Sequence, residues 1–326
     1  MEMEKVPQAG YKIEGLDIAG FNRSSLIKNI GLPFKLVKSF LQVRRIFNQF
    51  RPDAAIGVGG YSSFPVLKTA QTKGIKTFIH ESNSFAGKSN IMLGKKATRV
   101  FTGTDGMEKF FPKEKIVFTG NPMRSQLGND LTKQEAANLY GLDPAKKTVL
   151  AVGGSLGART INKTIQESYD LLKDRNDIQV LWQIGKLYAA HYLETPAAKL
   201  SCVSPSVYID RMDLAYALAD VVIARAGAMT ISELCLTGEA AILVPSPYVA
   251  EDHQTHNAMS LVKLGAALLI ADSDAPQRAF PEALRLLDHP EELKKLETEI
   301  VKLGKPHAAD EVADVVFSLT QSKRIV

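Results

Sequence analysis

The sequence predicts an α/β protein made of two doubly wound, Rossmann-like domains. Short, continuous apolar runs such as 149–152 and 221–223 are typical of strands buried on both faces of a parallel sheet. Turns rich in glycine or other small residues follow three predicted strands, and each turn leads into a segment with helical spacing. A chain of 326 residues is long enough for two domains of ordinary size.

The elements are predicted in chain order from apolar periodicity and from glycine and proline positions. Weak strand signals occur at 11–13 and 16–18, and no strand–turn–helix unit comes before them, so the chain is expected to start late. The predicted strands that follow are 53–57, 77–80, 99–102, 116–119, 147–152, 180–184, 206–209, 221–223, 240–244 and 267–270. The predicted helices are 38–50, one from Pro65, 85–93, 160–172, 212–219, 230–237, 257–264, 281–287, 290–303 and 309–319.

Composition narrows the class of protein. A hydrophobic share of 45% and a charged share of 23% are typical of a soluble globular protein, and no apolar run reaches the length of a membrane span. The first ten residues are acidic and lack the apolar run of a signal peptide. Cys202 and Cys235 have neither disulfide-framework nor zinc spacing, which suits a reducing cytoplasm.

A basic block lies between Asp17 and Asp53, which enclose seven basic residues and no acidic one. Such a block suggests an anionic partner. Nucleic acid is disfavoured because the block lacks a nucleic-acid-binding motif and has few aromatic residues. The apolar residues at 26–34, interrupted by Gly31 and Pro33, fit either an apolar tip inserted in an anionic membrane surface or a buried face.

The stretch 219–257 is the most informative about function. The helix predicted at 230–237 follows a strand directly, and its opening leaves backbone N–H groups at the positive end of the helix dipole, where phosphate or sugar oxygens bind. Glu233 lies about one turn inside this helix, where a carboxylate can accept hydrogen bonds from both hydroxyls of a ribose. An isolated Glu more often only complements the dipole, but a polar cluster follows the next strand: Asp252, His253, Gln254 and Asn257.

These groups suit a nucleotide diphosphate-sugar, with amides and an arginine for the pyrophosphate, a carboxylate for the ribose and amide groups for the sugar. The side chains concerned are Asn83, Arg124, Ser155, Glu233 and Gln254. The dehydrogenase motif G-x-G-x-x-G and the P-loop motif are absent from the sequence. His253 and His256 have no third ligand at metal spacing, so neither a metal nor a cofactor is predicted.

Six segments, in the same order, resemble the MurG family of N-acetylglucosaminyltransferases, and together they cover nearly the whole chain. They are GVGGYSS (57–63), HESNSFAG (80–87), GNPMR (120–124), GGSLGAR (153–159), RAGAMTISE (225–233) and DHQTHNA (252–258). The resemblance implies a GT-B fold with a ligand cleft between the domains. Residues 1–123, completed by a last helix at 309–326, would form an acceptor- and membrane-facing domain, and residues 124–308 would bind the donor.

The resemblance further implies an inverting enzyme that moves N-acetylglucosamine from UDP-N-acetylglucosamine to undecaprenyl-linked lipid I, forming lipid II at the cytoplasmic face of the bacterial inner membrane. Ser155, the amides after Gly154 and Arg124 would hold the diphosphate, and Glu233 the ribose. The backbone of Ile209 would bind uracil, and Gln254 and Asn83 the sugar. The remaining implied contacts are Ala228, Met229, Thr230, Ile231 and Ser232 for the diphosphate and sugar, and Gly57, Gly59, Gly60 and Tyr61 for the acceptor pyrophosphate.

The sequence departs from this family at one point. The family begins with a strand and a GGTGGH-like loop, whose histidine is a candidate general base, and the sequence contains no such segment. We therefore expect exposed strand edges, and the loss of a base would cost about 10²–10⁴-fold in rate. The catalytic base stays unassigned, because His80 ends a strand that is expected to pack into the sheet.

Three alternatives stay open at this stage. One is a non-catalytic UDP-sugar-binding subunit that needs a partner to supply the missing lobe. The second is a different GT-B transferase, such as a glycolipid synthase. The third is a UDP-sugar epimerase, which would need a further set of acid–base residues that the sequence does not offer.

Overall fold

The computed structural model describes residues 2–20, 31–123, 127 and 131–321. By internal contacts the chain forms two compact units. The first contains Met1–Ser82, Ala86–Phe118 and Asp310–Val326, and the second contains Asn83–Phe85 and Thr119–Ala309. The functional division after residue 123, with residues 309–326 completing the first domain, stays a prediction.

Strands and helices alternate along most of the described chain. The strands are β1 (Ala54–Gly57), β2 (Lys76–Glu81), β3 (Arg99–Thr102), β4 (Ile116–Phe118), β5 (Lys147–Val152), β6 (Ile178–Gln183), β7 (Val203–Ser206), β8 (Val221–Ala224), β9 (Ala241–Leu243) and β10 (Leu268–Leu269). The helices are α1 (Glu2–Gln8), α2 (Leu32–Phe50), α3 (Gly60–Thr72), α4 (Lys88–Gly94), α5 (Lys133–Tyr140), α6 (Arg159–Glu167), α7 (Tyr169–Leu172), α8 (Ala189–Tyr192), α9 (Met212–Leu218), α10 (Ala228–Thr237), α11 (His253–Val262), α12 (Ala275–Asp288), α13 (Pro290–Val301) and α14 (Ala308–Thr320).

The first unit contains a parallel sheet of order β1-β2-β3-β4. Helix α3 packs on β1 and β2, and α2 packs on α3. Val43 and Phe47 of α2, Leu67 of α3 and Ile79 of β2 share one core. The weak strands predicted at 11–13 and 16–18 are wrong, because residues 11–20 form no regular element. Two contacts instead tie this segment to α2: the Asp17 N–H donates to Gln42, and the Asp17 carboxylate pairs with Lys38.

The second unit contains a parallel sheet of order β10-β9-β8-β5-β6-β7. Successive side chains of a strand point to opposite faces, so each strand contributes to two cores. In β5, Val149 and Ala151 enter one core, and Leu150 and Val152 enter the other. Because the sheet is covered on both faces, every side chain of a central strand is buried, which explains the continuous apolar runs in the sequence. Two parallel sheets confirm the predicted α/β class.

Strand order in the second sheet reverses at its centre. The chain adds β6 and β7 on one side of β5, then crosses over and adds β8, β9 and β10 on the other side. The turns after β5 and β8 therefore leave neighbouring strands in opposite directions and open a crevice between them. Such a topological switch point, at the carboxyl ends of the strands, is where open α/β sheets bind ligands.

Several predicted helix boundaries are wrong: three helices begin earlier than predicted, whereas α4 begins at Lys88 and not at 85. Helix α3 begins at Gly60 and not at Pro65, α11 begins at His253 and not at 257, and α12 begins at Ala275 and not at 281. In α3 and α11 the missed first turn is rich in glycine or polar residues, which carry no apolar periodicity. In α12 the missed residues are packed, since Ala275 and Phe280 are buried, and Pro281 lies inside the helix. The strand predicted at 206–209 is also wrong, because β7 ends at Ser206 and residues 207–209 lead away from it.

Two further helix predictions are corrected. Helix α2 begins at Leu32 and not at 38. Pro33 does not prevent this, because a residue in the first turn of a helix needs no N–H for intrahelical bonding. The single helix predicted at 160–172 divides at Ser168 into α6 and α7. The buried Ser168 hydroxyl donates to the Thr164 carbonyl, which satisfies both groups at the break.

Candidate functional site

A cavity of about 190 Å³ lies in the second unit, at the switch point of its sheet. Its wall comes from the turn after β5, the end of β6, the loop before α9, α9 itself and the first turns of α10. Five predicted site residues line it: Ser155, Ile209, Met229, Thr230 and Glu233. Residues far apart in the sequence thus meet where the topology predicts a ligand.

The turn after β5 is held in its shape by glycines. Gly154 and Gly157 have φ angles of +83° and +85°, and the Gly157 N–H donates to the Gly154 carbonyl at 2.9 Å. A Cβ atom on Gly157 would lie 2.2 Å from the carbonyl oxygen of Ile184, so a larger residue does not fit. This tight turn carries Ser155 to the wall of the cavity.

Gln183, the last residue of β6, joins two walls of the cavity. Its Nε2 donates to the Gly154 carbonyl at 3.0 Å, and its Oε1 accepts from the Ile209 N–H at 2.9 Å. The Gln183 side chain is buried, so both hydrogen bonds stabilise the fold, because a buried amide without partners is destabilising. Gln183 was not among the predicted site residues, although a polar residue at the carboxyl end of a buried strand is a detectable signal.

Helix α10 presents its amino-terminal amides at the cavity. Its first intrahelical bond runs from the Ile231 N–H to the Gly227 carbonyl at 2.9 Å, so the three amides before Ile231 lie outside the helical bonding pattern. The Ile231 side chain is buried in the core. The Ser232 hydroxyl accepts from Asn121 Nδ2 at 2.9 Å. Ala228, Ile231 and Ser232 do not line the cavity, whereas Met229 and Thr230 do.

Glu233 is bonded to a buried tyrosine. The Tyr216 hydroxyl, on α9, donates to Glu233 Oε2 at 2.8 Å. Burial, and then the neighbouring Glu233 carboxylate, raise the pKa of Tyr216 well above its ordinary value. Tyr216 therefore stays protonated and acts as a donor. The sequence predicts only a helix at 212–219, and no pattern in it indicates this contact.

A second carboxylate at the cavity is already paired. Arg211 donates from Nε and Nη2 to Asp213, with distances between 2.6 and 3.1 Å. This contact lowers the pKa of Asp213 below its ordinary value. The charge of Asp213 is thus balanced within the wall, which reduces its repulsion of an anionic ligand.

Asn83 and Gln254 do not line the cavity, but the structure explains how each is held. The buried Asn257 donates from Nδ2 to Asn83 Oδ1 at 3.1 Å and to the Ala226 carbonyl at 3.3 Å. Its Oδ1 accepts from the Ser84 N–H and hydroxyl. Asn83 is thereby brought close to the end of β8. Gln254 Oε1 accepts from the Ser246 N–H at 2.8 Å.

The remaining predicted residues lie elsewhere. Gly57 ends β1, while Gly59 and Gly60 have φ angles of +96° and +75° and lead into α3 with the exposed Tyr61. His80 is buried in β2, as expected. Arg124 lies outside the described residues. Within the described ranges, no three His, Cys, Asp or Glu side chains cluster as metal ligands.

A glycine turn, a helix amino terminus and a positioned carboxylate at the switch point of a doubly wound sheet are typical of nucleotide-binding α/β proteins. The family model described as "Glycosyltransferase family 28 N-terminal domain" matches residues 1–102. The model described as "Glycosyltransferase family 28 C-terminal domain" matches residues 148–312. The chain belongs to glycosyltransferase family 28. The predicted GT-B class of fold is thereby confirmed.

Individual relatives agree with this assignment. The UDP-N-acetylglucosamine–N-acetylmuramyl-(pentapeptide) pyrophosphoryl-undecaprenol N-acetylglucosamine transferase of Phocaeicola vulgatus is 49% identical, over 99% of this chain and 87% of its own length. The crystal structure of MurG from Acinetobacter baumannii superposes with a TM-score of 0.74 at 29% identity, covering 98% of this chain and 88% of that one. A putative UDP-N-acetylglucosamine 2-epimerase from Listeria monocytogenes shares the fold alone, with a TM-score of 0.66 at 14% identity over 88% and 81% of the two chains.

Proposed function

We propose that this chain transfers N-acetylglucosamine from UDP-N-acetylglucosamine to lipid I and so forms lipid II. The observation that carries the proposal is the cavity at the switch point, with Glu233 held by Tyr216 and the Gly154 turn tied to Ile209 through Gln183. The names of relatives at 42–49% identity favour this transferase over a non-catalytic binding subunit.

The donor's uridine and diphosphate fit the described groups. Ser155, the amides after Gly154 and the amino terminus of α10, with Met229 and Thr230, would hold the diphosphate, because backbone N–H groups at a helix amino terminus favour anions. Glu233 would accept from the ribose hydroxyls. Since the Ile209 N–H already donates to Gln183, the Ile209 carbonyl is the group we assign to the N3–H of uracil. We also assign Arg124 to the diphosphate, on the family resemblance alone.

The sugar and acceptor are assigned to further residues. Gln254 and Asn83 would bind N-acetylglucosamine, since both present amide groups that Ser246 and Asn257 hold in place. The diphosphate and sugar would also be bound near the first turn of α10, by backbone groups of Ala228 and Ile231 and by the backbone and hydroxyl of Ser232. The acceptor's pyrophosphate is assigned to the first unit's glycine turn, at Gly57, Gly59, Gly60 and Tyr61.

The reaction is a single displacement. The acceptor 4-hydroxyl oxygen forms a bond to the anomeric carbon while the bond from that carbon to the diphosphate oxygen breaks, so the configuration inverts. The electron pair leaves on UDP, and the hydroxyl proton passes to a base that we do not assign. Amides preorganised around the leaving diphosphate stabilise the charge that develops on it, which is the largest single contribution in many enzymes.

We test the transfer with radiolabelled UDP-N-acetylglucosamine and a short-chain lipid I analogue. The expected result is one UDP released per labelled disaccharide formed, with the β configuration at the new bond. UDP-glucose at the same concentration is expected to give at least about tenfold less product, since the lost N-acetyl contacts lower transition-state binding. Binding of UDP without any product would favour the binding subunit, and UDP release without acceptor would indicate a hydrolase.

A membrane surface is the proposed location of this reaction, at the cytoplasmic face of the inner membrane. Phe34, Val37 and Leu41 of α2 are 78%, 61% and 60% exposed, and their spacing places them on one helix face. Lys35 adjoins this apolar face, and a basic residue near an anionic surface contributes about 1 kcal/mol. Lys38 also adjoins it, but its charge is balanced by Asp17. Residues 26–30 of the predicted apolar tip lie outside the described residues.

No described helix has the length and apolarity that crossing a bilayer requires.

The double variant Phe34→Ser/Leu41→Ser is expected to lower partitioning onto phosphatidylglycerol-rich vesicles by about tenfold or more, because a buried large apolar side chain contributes about 1.5–3 kcal/mol. Cosedimentation measures the effect. The matched control is Leu139→Ser/Leu187→Ser, which removes two exposed leucines of the second unit. An equal loss in both variants would contradict membrane contact through α2.

A further inference from the structure

Tyr216 has a hydroxyl group that the packing of its ring does not require. The ring lies fully inside one core of the second unit, on α9, among apolar side chains such as Leu181 and Val222. A phenylalanine would fill this space equally well. The hydroxyl must still find a partner, because a buried polar group without one is costly. That partner is Glu233 Oε2, 2.8 Å away on a different helix.

The geometry of this pair limits the freedom of Glu233. Glu233 is half-buried on α10 and lines the cavity, and an unrestrained glutamate on a helix samples several rotamers. A donor fixed in the core holds one carboxylate oxygen in a defined place. Because Tyr216 is protonated and Glu233 accepts, the contact is a charge-assisted hydrogen bond, stronger than one between neutral groups.

We infer that Tyr216 is a positioning residue for Glu233 and sets the cavity's preference for a ribose that carries its 2′- and 3′-hydroxyls. The inference rests on the proposed donor site. Tyr216 orients the carboxylate before the nucleotide binds, so binding does not have to order that side chain. The preference is for ribonucleotides over nucleotides that lack these hydroxyls, since only ribose can bond the positioned carboxylate.

The test compares UDP with 2′,3′-dideoxy-UDP by calorimetry on the full chain. Tyr216→Phe is expected to weaken UDP binding about fivefold to tenfold, which is less than the loss of a whole hydrogen bond to a charged group, because Glu233 itself stays in place. The affinity for 2′,3′-dideoxy-UDP is expected to stay unchanged, because that ligand has no hydroxyl for Glu233. In a Glu233→Ala background, Tyr216→Phe is expected to have no further effect on UDP.

Tyr192→Phe is the matched control. It removes the hydroxyl of another buried tyrosine of the same unit, whose contact is with the Arg159 carbonyl, and it should leave the UDP to dideoxy-UDP ratio unchanged. Equal losses for both ligands in Tyr216→Phe, or no loss for either, would overturn the inference while the proposed function stands. A wild-type chain that binds no UDP would overturn the donor site itself, and this inference with it.

Discussion

Replacement of Glu233 by alanine is expected to weaken UDP binding about 100-fold. The proposed role of the carboxylate is to accept two hydrogen bonds from the ribose, and a hydrogen bond to a charged group contributes about 1.5–3 kcal/mol. A loss of about 3 kcal/mol corresponds to about two powers of ten in affinity. Calorimetry with UDP and UDP-N-acetylglucosamine measures the change, and both ligands should lose the same factor because they share the ribose.

Two controls separate binding from stability. Glu233→Gln keeps the shape and one acceptor oxygen, so we expect an intermediate loss of about tenfold. Glu233→Ala also leaves the Tyr216 hydroxyl without its acceptor, which should lower the stability of the second unit by about 1–3 kcal/mol. Trp182, the one tryptophan of the chain, is buried in that unit, so its fluorescence reports whether the variant is folded. An unchanged UDP affinity in a folded Glu233→Ala variant would rule out the proposed ribose site.

Gly157→Ala is expected to be the most destabilising single substitution in the turn after β5. Alanine at a φ of +85° costs about 1–2 kcal/mol, and its Cβ would lie 2.2 Å from the Ile184 carbonyl oxygen, so backbone must move. We expect a total of about 4 kcal/mol and a fall in melting temperature of roughly 10 °C. Thermal unfolding followed by Trp182 fluorescence measures this change.

Gly154→Ala provides the comparison, because Gly154 has a similar φ of +83° but open space where a Cβ would lie. Only the backbone strain applies there, so we expect a loss of about 1–2 kcal/mol. The difference between the two variants isolates the steric contacts of the added Cβ with Ile184, Gly185 and Tyr188. If both variants unfolded at the same temperature, the close approach of Gly157 to the end of β6 would have no role in stability.

Local signals in the sequence were sufficient for much of the second unit. The apolar run at Val221–Ala224 and the helix at Met212–Leu218 occur nearly where the patterns predict them. The errors concern segments whose signals are weak or ambiguous. Residues 207–209 are β-branched or aromatic and so favour a strand, yet the sheet pairs β7 with β6 only as far as Ser206. The Ile209 N–H instead donates to the side chain of Gln183.

Site residues were predictable when their own chemistry and their position after a predicted strand were visible in the sequence. Glu233 and Ser155 follow predicted strands, at positions where α/β proteins bind ligands, and both line the cavity. Tyr216 and Gln183 could not be assigned in this way. Each looks like an ordinary member of a buried helix or strand, and its role depends on a partner from another element.

The sequence by itself determined the alternation of strands and helices, the burial of both sheet faces and the glycine turns that open the site, because these follow from periodicity and backbone sterics within short segments. The tertiary structure alone decided the strand order, and with it the switch point between β5 and β8. It also decided which polar groups meet, such as Asn257 with Asn83. Such pairings join residues distant in the chain, and no local pattern encodes them.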